Sequence, residues 1–188
     1  ERTETGEVRM PVRAALRAMD PGLVVTVARG SSDHAATYLK YAIELAAGVP
    51  VASVGPSVAS IYGRPLRLKG AACIAISQSG RSPDIVEMMR AAGVGGALTL
   101  AITNHQDSPL AEVSSHCLPL QAGLERSVAA TKTFVVSVLA GLAVLAEWQD
   151  DSALRAAIAG LPDAFARALD LDWEPLSARL SHAQSLYV

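Results

Sequence analysis

The chain has 188 residues, 51% of them hydrophobic and 18% charged, with 14 glycines and 10 prolines. That length and texture suffice for one full hydrophobic core without disulfides or a structural metal, and they exclude collagen-like and disordered classes. The 16 basic and 18 acidic residues leave a net charge of −2, with no basic surplus to neutralise a nucleic-acid backbone, so no nucleic-acid partner is expected.

Residues 1–21 are charged and then helical in pattern, with Val12, Leu16 and Met19 recurring at helical spacing before the breaker Asp20-Pro21-Gly22. The texture then changes. Leu23 to Ala28 is a short apolar, β-branched run ending in Arg29-Gly30-Ser31-Ser32, the pattern of a strand buried on both faces. A helix from Asp33 to Ala47 follows and stops at Gly48-Val49-Pro50. The cycle repeats with a strand at Val51 to Val54, a short helix at Ser57 to Tyr62 and a third strand at Ala72 to Ser77. Beyond the turn Gln78-Ser79-Gly80-Arg81-Ser82-Pro83, the spacing predicts a helix from Asp84 to Ala92 and a strand from Ala97 to Thr103. A weaker fifth strand covers Ser115 to Leu120, and a long apolar helix covers Ser127 to Glu147. Its richest window, Phe134 to Ala146, falls short of the roughly 20 residues that span a bilayer, so it reads as a core helix and no membrane partner is expected.

Strands alternating with helices give an α/β fold, a three-layer αβα sandwich on a five-stranded parallel sheet of expected order 2-1-3-4-5. Residues 149–188 are less regular. They hold an amphipathic stretch from Ala153 to Ala168 broken at Gly160-Leu161-Pro162, a helical stretch from Leu176 to Ala183, and a strand-like beginning at Ser185 to Val188. The pattern stops where another α/β unit would start, and a fragment of a longer protein is expected.

Cys73 and Cys117 lie in apolar runs without CxxC or Cys/His spacing. Neither a disulfide framework nor a metal site is expected, and the pattern suits a reducing, cytoplasmic compartment. The first twelve residues carry no signal-peptide apolar core.

Ligands of open parallel sheets bind beyond the carboxyl ends of the strands, where the strand order reverses. Three segments fall at such ends: Arg29-Gly30-Ser31-Ser32, Ser77-Gln78-Ser79-Gly80-Arg81-Ser82, and Arg126-Ser127-Val128-Ala129-Ala130-Thr131-Lys132. Each joins small residues and hydroxyls to a helix start, where free N–H groups and the helix dipole favour a phosphate. One such loop reads more readily as a set of turn formers and caps than as a site; three at strands 1, 3 and 5 reverse that balance and favour a binding site. Other phosphate and nucleophile motifs fit badly. There is no G-x-x-x-x-G-K-[ST], Arg29 to His34 is not G-x-G-x-x-G, and Ser77 stands where the first glycine of G-x-S-x-G belongs.

Together these three segments resemble the SIS (sugar isomerase) domain over residues 22–148. Within that family the chain is most similar to the first of two such domains in the isomerase half of glucosamine-6-phosphate synthase, and to stand-alone hexosamine-phosphate deaminases and isomerases. The resemblance implies a flavodoxin-like SIS fold, with residues 1–21 as a helical lead-in and 149–188 as a helical linker towards a second SIS domain. It implies a sugar phosphate as ligand, held at its phosphate by Ser77, Gln78, Ser79 and Ser82. Ser31, Ser32 and the backbone of Val128 and Ala129 would line the sugar. No cofactor and no metal are implied, and a homodimer is the expected assembly. The family's first loop reads Cys-Gly-Thr-Ser; here Arg29 replaces the cysteine and alters the mouth of the site.

The implied activity is that of an aldose–ketose isomerase-type enzyme on hexosamine or fructose 6-phosphate, whether deaminase, isomerase or the isomerase part of an aminotransferase. The family's general base, ring-opening His and catalytic lysines belong outside the first domain, so no catalytic residue is assigned. The alternative is a sugar-phosphate-sensing module without catalysis. Glu125 would act as a general base or as a contact to the helix start, and Lys132 would balance phosphate charge or form a salt bridge. His34 and His105 are further candidates, each also readable as a capping or solvated residue.

Overall fold

The computed structural model describes residues 11–126 and 130–185. Five strands, Leu23–Val27 (β1), Val51–Ser53 (β2), Ala71–Ser77 (β3), Leu98–Thr103 (β4) and His116–Pro119 (β5), form one sheet in the order β2-β1-β3-β4-β5. Every pairing is parallel; Val25 lies beside Cys73 and Ala52, and Ala75 beside Ala101. The order expected from the sequence is the order found. β1 and β3 are therefore neighbours, and the chain leaves them towards opposite faces of the sheet.

The central strands are buried on both sides because both faces are covered. On one face lie Pro11–Met19 (α1), Ser31–Ala47 (α2) and Thr131–Gln149 (α6), whose Leu16, Leu39, Ile43, Val144 and Leu145 pack on Val24, Ile74, Ile76 and Ile102. On the other lie Ser57–Ser60 (α3), Pro83–Val94 (α4) and Pro109–Val113 (α5), where Ile85, Met88, Met89 and Leu110 cover Val25, Cys73, Ala75 and Ala101. Burying each of these aliphatic side chains contributes about 1.5–3 kcal/mol, and the alternation along β3 distributes that gain to both layers.

α1 is tied to the end of α6. The Arg17 guanidinium donates to the carbonyl oxygens of Glu147 at 2.6 Å and Trp148 at 2.9 Å, and Arg13 pairs with Glu147 at 3.0 Å. Those carbonyls belong to the last turn of α6, where helix oxygens lack intrahelical partners and a cation is favourable. α6 is apolar and long, but its buried residues Thr133, Ser137, Gly141, Val144, Leu145, Ala146 and Trp148 face the protein core, as the sequence reading expected of this window.

Three local differences from the sequence reading have plain causes. The stretch from 153 to 168 is two helices, Ser152–Ala159 (α7) and Leu161–Leu169 (α8), because Gly160 ends one and Pro162 starts the next. α5 was not anticipated; its signal was Ser108-Pro109, a side-chain cap followed by proline at the first helical position. Glu174–Leu180 (α9) ends three residues before the expected boundary, and no strand forms at Ser185; the remainder of that expected strand, 186–188, lies outside the described residues. α7, α8 and α9 bury none of their residues.

Candidate functional site

Because β1 and β3 are adjacent, the loops that follow them stand side by side at the carboxyl edge of the sheet. Between these loops and the start of α6 is a cavity of about 350 Å³. Its lining runs from Arg29, Gly30, Ser31 and Ser32 through Ile76, Ser77, Gln78, Ser79, Ser82 and Ile85 to Ala130, Thr133 and Phe134. All six residues expected in the first two loops are brought together there. Val128 and Ala129 lie outside the described residues.

The loop after β3 is fixed from beneath. The Gln78 carbonyl accepts from the Asn104 N–H at 3.1 Å and from the Thr103 hydroxyl at 3.2 Å, and the Gly80 carbonyl accepts from the Leu110 N–H at 3.0 Å. Within the loop, Ser77 Oγ accepts from the Gly80 N–H at 3.2 Å and Ser79 Oγ from the Arg81 N–H at 3.3 Å. Both hydroxyls thus serve the turn as acceptors, which leaves their protons free to donate to a ligand. Gly80 has φ +63°, a left-handed conformation that glycine adopts at least cost.

Ser82 precedes α4 as its N-cap, yet its hydroxyl makes no capping bond, whereas Ser108 and Asp151 do cap their helices. Ser82 is instead one of the residues that line the cavity. With proline at the first position of α4, the N–H groups of Asp84 and Ile85 are the first that lack an acceptor one turn back. Three serines and a helix start therefore share this part of the lining, a donor-rich surface suited to an oxyanion.

On the opposite wall, Gly30 at φ +58° turns the chain from β1 into α2, so that Ser31 and Ser32 become the first two residues of that helix. The third wall is the first turn of α6, which Glu125 holds. Its Oε2 accepts from the Thr133 N–H at 2.9 Å and from the Thr133 hydroxyl at 3.1 Å. The Thr133 N–H bond, helped by that hydroxyl and by the positive charge of Lys132, holds the carboxyl below its usual range. Glu125 does not line the cavity, so of its two expected roles the structure favours the contact to the helix start. Lys132 donates to the Leu124 carbonyl at 2.8 Å, and it too stands apart from the lining. His34 and His105 are exposed and likewise do not line it.

Ile85, Thr133 and Phe134 were missed in the sequence because they lie inside helices, one to three residues past the motifs. The signal was available: a loop that ends at a cavity exposes the inward side of the next helical turn as well. Among the described residues that line the cavity, Arg29 alone carries a charge, and its Nη1 is ion-paired with Asp84 Oδ2. Cys73, in the core beneath the site, is a free thiol that burial pushes up to about 12, so it stays protonated and chemically inert at neutral pH.

A family model described as SIS domain matches residues 20–146. The chain is 37% identical over 175 residues to the isomerizing glutamine–fructose-6-phosphate aminotransferase of Halobacterium salinarum, which covers 85% of this chain and 28% of that protein. The enzyme of the same name from Thermosynechococcus vestitus is 37% identical over 145 residues, 72% of this chain and 23% of its own. Among solved structures, a protein of Silicibacter pomeroyi DSS-3 assigned provisionally as a phosphosugar isomerase superposes with a TM-score of 0.84 at 60% identity, covering 86% of this chain and 50% of that one. The C-terminal domain of the Francisella tularensis glucosamine-fructose-6-phosphate aminotransferase gives a TM-score of 0.69 at 25% identity over 86% of this chain and 47% of that one. The chain thus spans about a quarter of the length of the curated relatives it matches and about half of these solved chains.

Proposed function

The chain belongs to the SIS domain family, and from that premise we propose that its serine-lined cavity binds the phosphate of a hexose 6-phosphate, as one part of an enzyme that interconverts aldose and ketose phosphates. The observation that carries this reading is one cavity lined by Ser77, Ser79 and Ser82 at the uncapped start of α4 together with Ser31 and Ser32 at the start of α2. A cavity of about 350 Å³ suits a ligand of hexose-phosphate size. The relatives whose names include fructose 6-phosphate favour that sugar phosphate or its 2-amino counterpart.

Moving a hydrogen between C1 and C2 of such a sugar needs a general base near both carbons. Among the described residues the lining holds no carboxylate, histidine, lysine or cysteine. The acid–base groups of the proposed enzyme therefore come from outside this lining, in keeping with relatives that extend well beyond the matched segment. The same observation favours a second reading, a sugar-phosphate-sensing module that binds without turnover.

Titration calorimetry with fructose 6-phosphate, glucosamine 6-phosphate and the free sugars tests the binding. Preference for the phosphorylated forms is the expected result, and equal affinity for free sugar overturns it. Exchange of the C2 hydrogen with deuterated solvent, measured on the whole protein that carries this domain, then separates the readings: exchange marks an isomerase, and tight binding without exchange marks a sensor.

A further inference from the structure

The proposed phosphate site has an electrostatic problem. A sugar phosphate brings close to two negative charges at neutral pH, and Asp84 places another in the first turn of the helix that receives it. Asp84 is well placed for α4 itself, since a carboxylate in the first turn complements the helix dipole. Asp84 does not itself line the cavity, but it stands between the lining residues Ser82 and Ile85, so for a phosphate at that helix end its carboxylate is a neighbouring like charge whose partial burial limits its screening.

Arg29 stands against this carboxylate. It comes from the end of β1, 55 residues away in sequence, lines the cavity and pairs with Asp84. Its side chain is 64% exposed and that of Asp84 only 20%, and Arg29 lines the cavity whereas Asp84 does not, so the cation is the member of the pair nearer the ligand space. Arg81, in the same loop as the serines, is exposed and does not line the cavity.

We propose that Arg29 is the counter-charge that makes this site selective for a dianionic ligand, acting through Asp84: it cancels the carboxylate at the start of α4 and so lets the phosphate occupy that helix end. This rests on the phosphate reading above and names the residue that sets its charge selectivity. Arg29 is a positioning and charge-balancing residue, separate from the serines that donate to the phosphate. A direct Arg29–phosphate contact is the rival, and the two make opposite forecasts once Asp84 is neutralised.

The test is a double-mutant cycle on the full chain, with affinity for fructose 6-phosphate and for uncharged fructose read by calorimetry at low and high salt. Arg29→Ala is expected to weaken the phosphorylated ligand by about tenfold, an effect that shrinks with added salt, and to leave the free sugar unchanged. Asp84→Asn is expected to bind the phosphorylated ligand as tightly as the parent or better. Combining the two is expected to restore affinity to within about twofold of the parent, because no carboxylate is left to offset. Arg81→Ala measures the general loss of one positive charge near the site, and its effect should be several times smaller than that of Arg29→Ala. A double variant as weak as Arg29→Ala overturns the proposal in favour of direct contact. An Arg29→Ala variant that binds like the parent overturns it outright. Ser79→Ala separates the two levels. If it weakens the phosphorylated ligand while Arg29→Ala does not, only the counter-charge falls; if neither variant responds, the phosphate site falls with it.

Discussion

Ser108 Oγ lies 2.2 Å from where the Cβ of any residue but glycine at position 80 would stand, and Ser108 Cβ lies 2.7 Å from it. The loop after β3 and the cap of α5 are therefore built in contact, with glycine as the only residue that fits between them. Gly80→Ala adds this clash to a left-handed φ, and is expected to cost about 2–4 kcal/mol and to displace the serines of the loop. Denaturant unfolding and phosphosugar titration check both effects. A second change, Ser108→Gly, removes the colliding atoms and should recover part of the binding, though not the backbone strain.

Ser79→Ala and Ser82→Ala each remove one donor to a charged ligand, a hydrogen bond worth roughly 1.5–3 kcal/mol, and are expected to weaken phosphosugar binding by about 10- to 100-fold. The sequence alone left open a capping loss of about 1 kcal/mol at the serine that starts the helix. That serine is Ser82, and its hydroxyl makes no capping bond, so thermal unfolding of Ser82→Ala should match the parent. Normal stability with lost affinity marks a ligand-binding serine; lost stability with retained affinity marks a turn residue.

The Glu125 carboxyl is held below its ordinary value of 4.5 by the N–H of Thr133 first, then by the Thr133 hydroxyl and Lys132. A carboxyl with a lowered folded pKa supports the fold above its unfolded pKa and loses that support as pH falls through the folded one. Glu125→Gln is therefore expected to be less stable than the parent at neutral pH. The gap should close as the pH drops through and below the ordinary carboxylate range. Because Thr133 and Phe134 line the cavity, ligand affinity should fall with it at neutral pH. Parallel urea titrations across this range check the sign, and a gap that widens on acidification contradicts the role assigned to Glu125.

The sheet was legible because its strands are short, β-branched and apolar on both faces, as β1 and β3 show. Ser77, Gln78, Ser79 and Ser82 were legible as a motif, since their chemistry is local to one loop. The Arg29–Asp84 pair was not, because it exists only once the order β2-β1-β3 brings two distant loops together. Glu125 was read in two ways for a similar reason. A carboxylate in the loop before a helix start serves the helix or the ligand according to which way it faces, and composition carries no direction.

The most direct measurement is the set of backbone amide resonances that shift when glucosamine 6-phosphate, and then inorganic phosphate alone, is titrated into the isotope-labelled protein. Inorganic phosphate should move the amides of Ser77 to Ser82 together with Asp84 and Ile85, and the sugar phosphate should add those of Gly30, Ser31 and Ser32. Shifts confined to other surfaces, or a sugar phosphate that leaves the Ser77 to Ile85 segment unmoved, would contradict the placement of the phosphate at the start of α4.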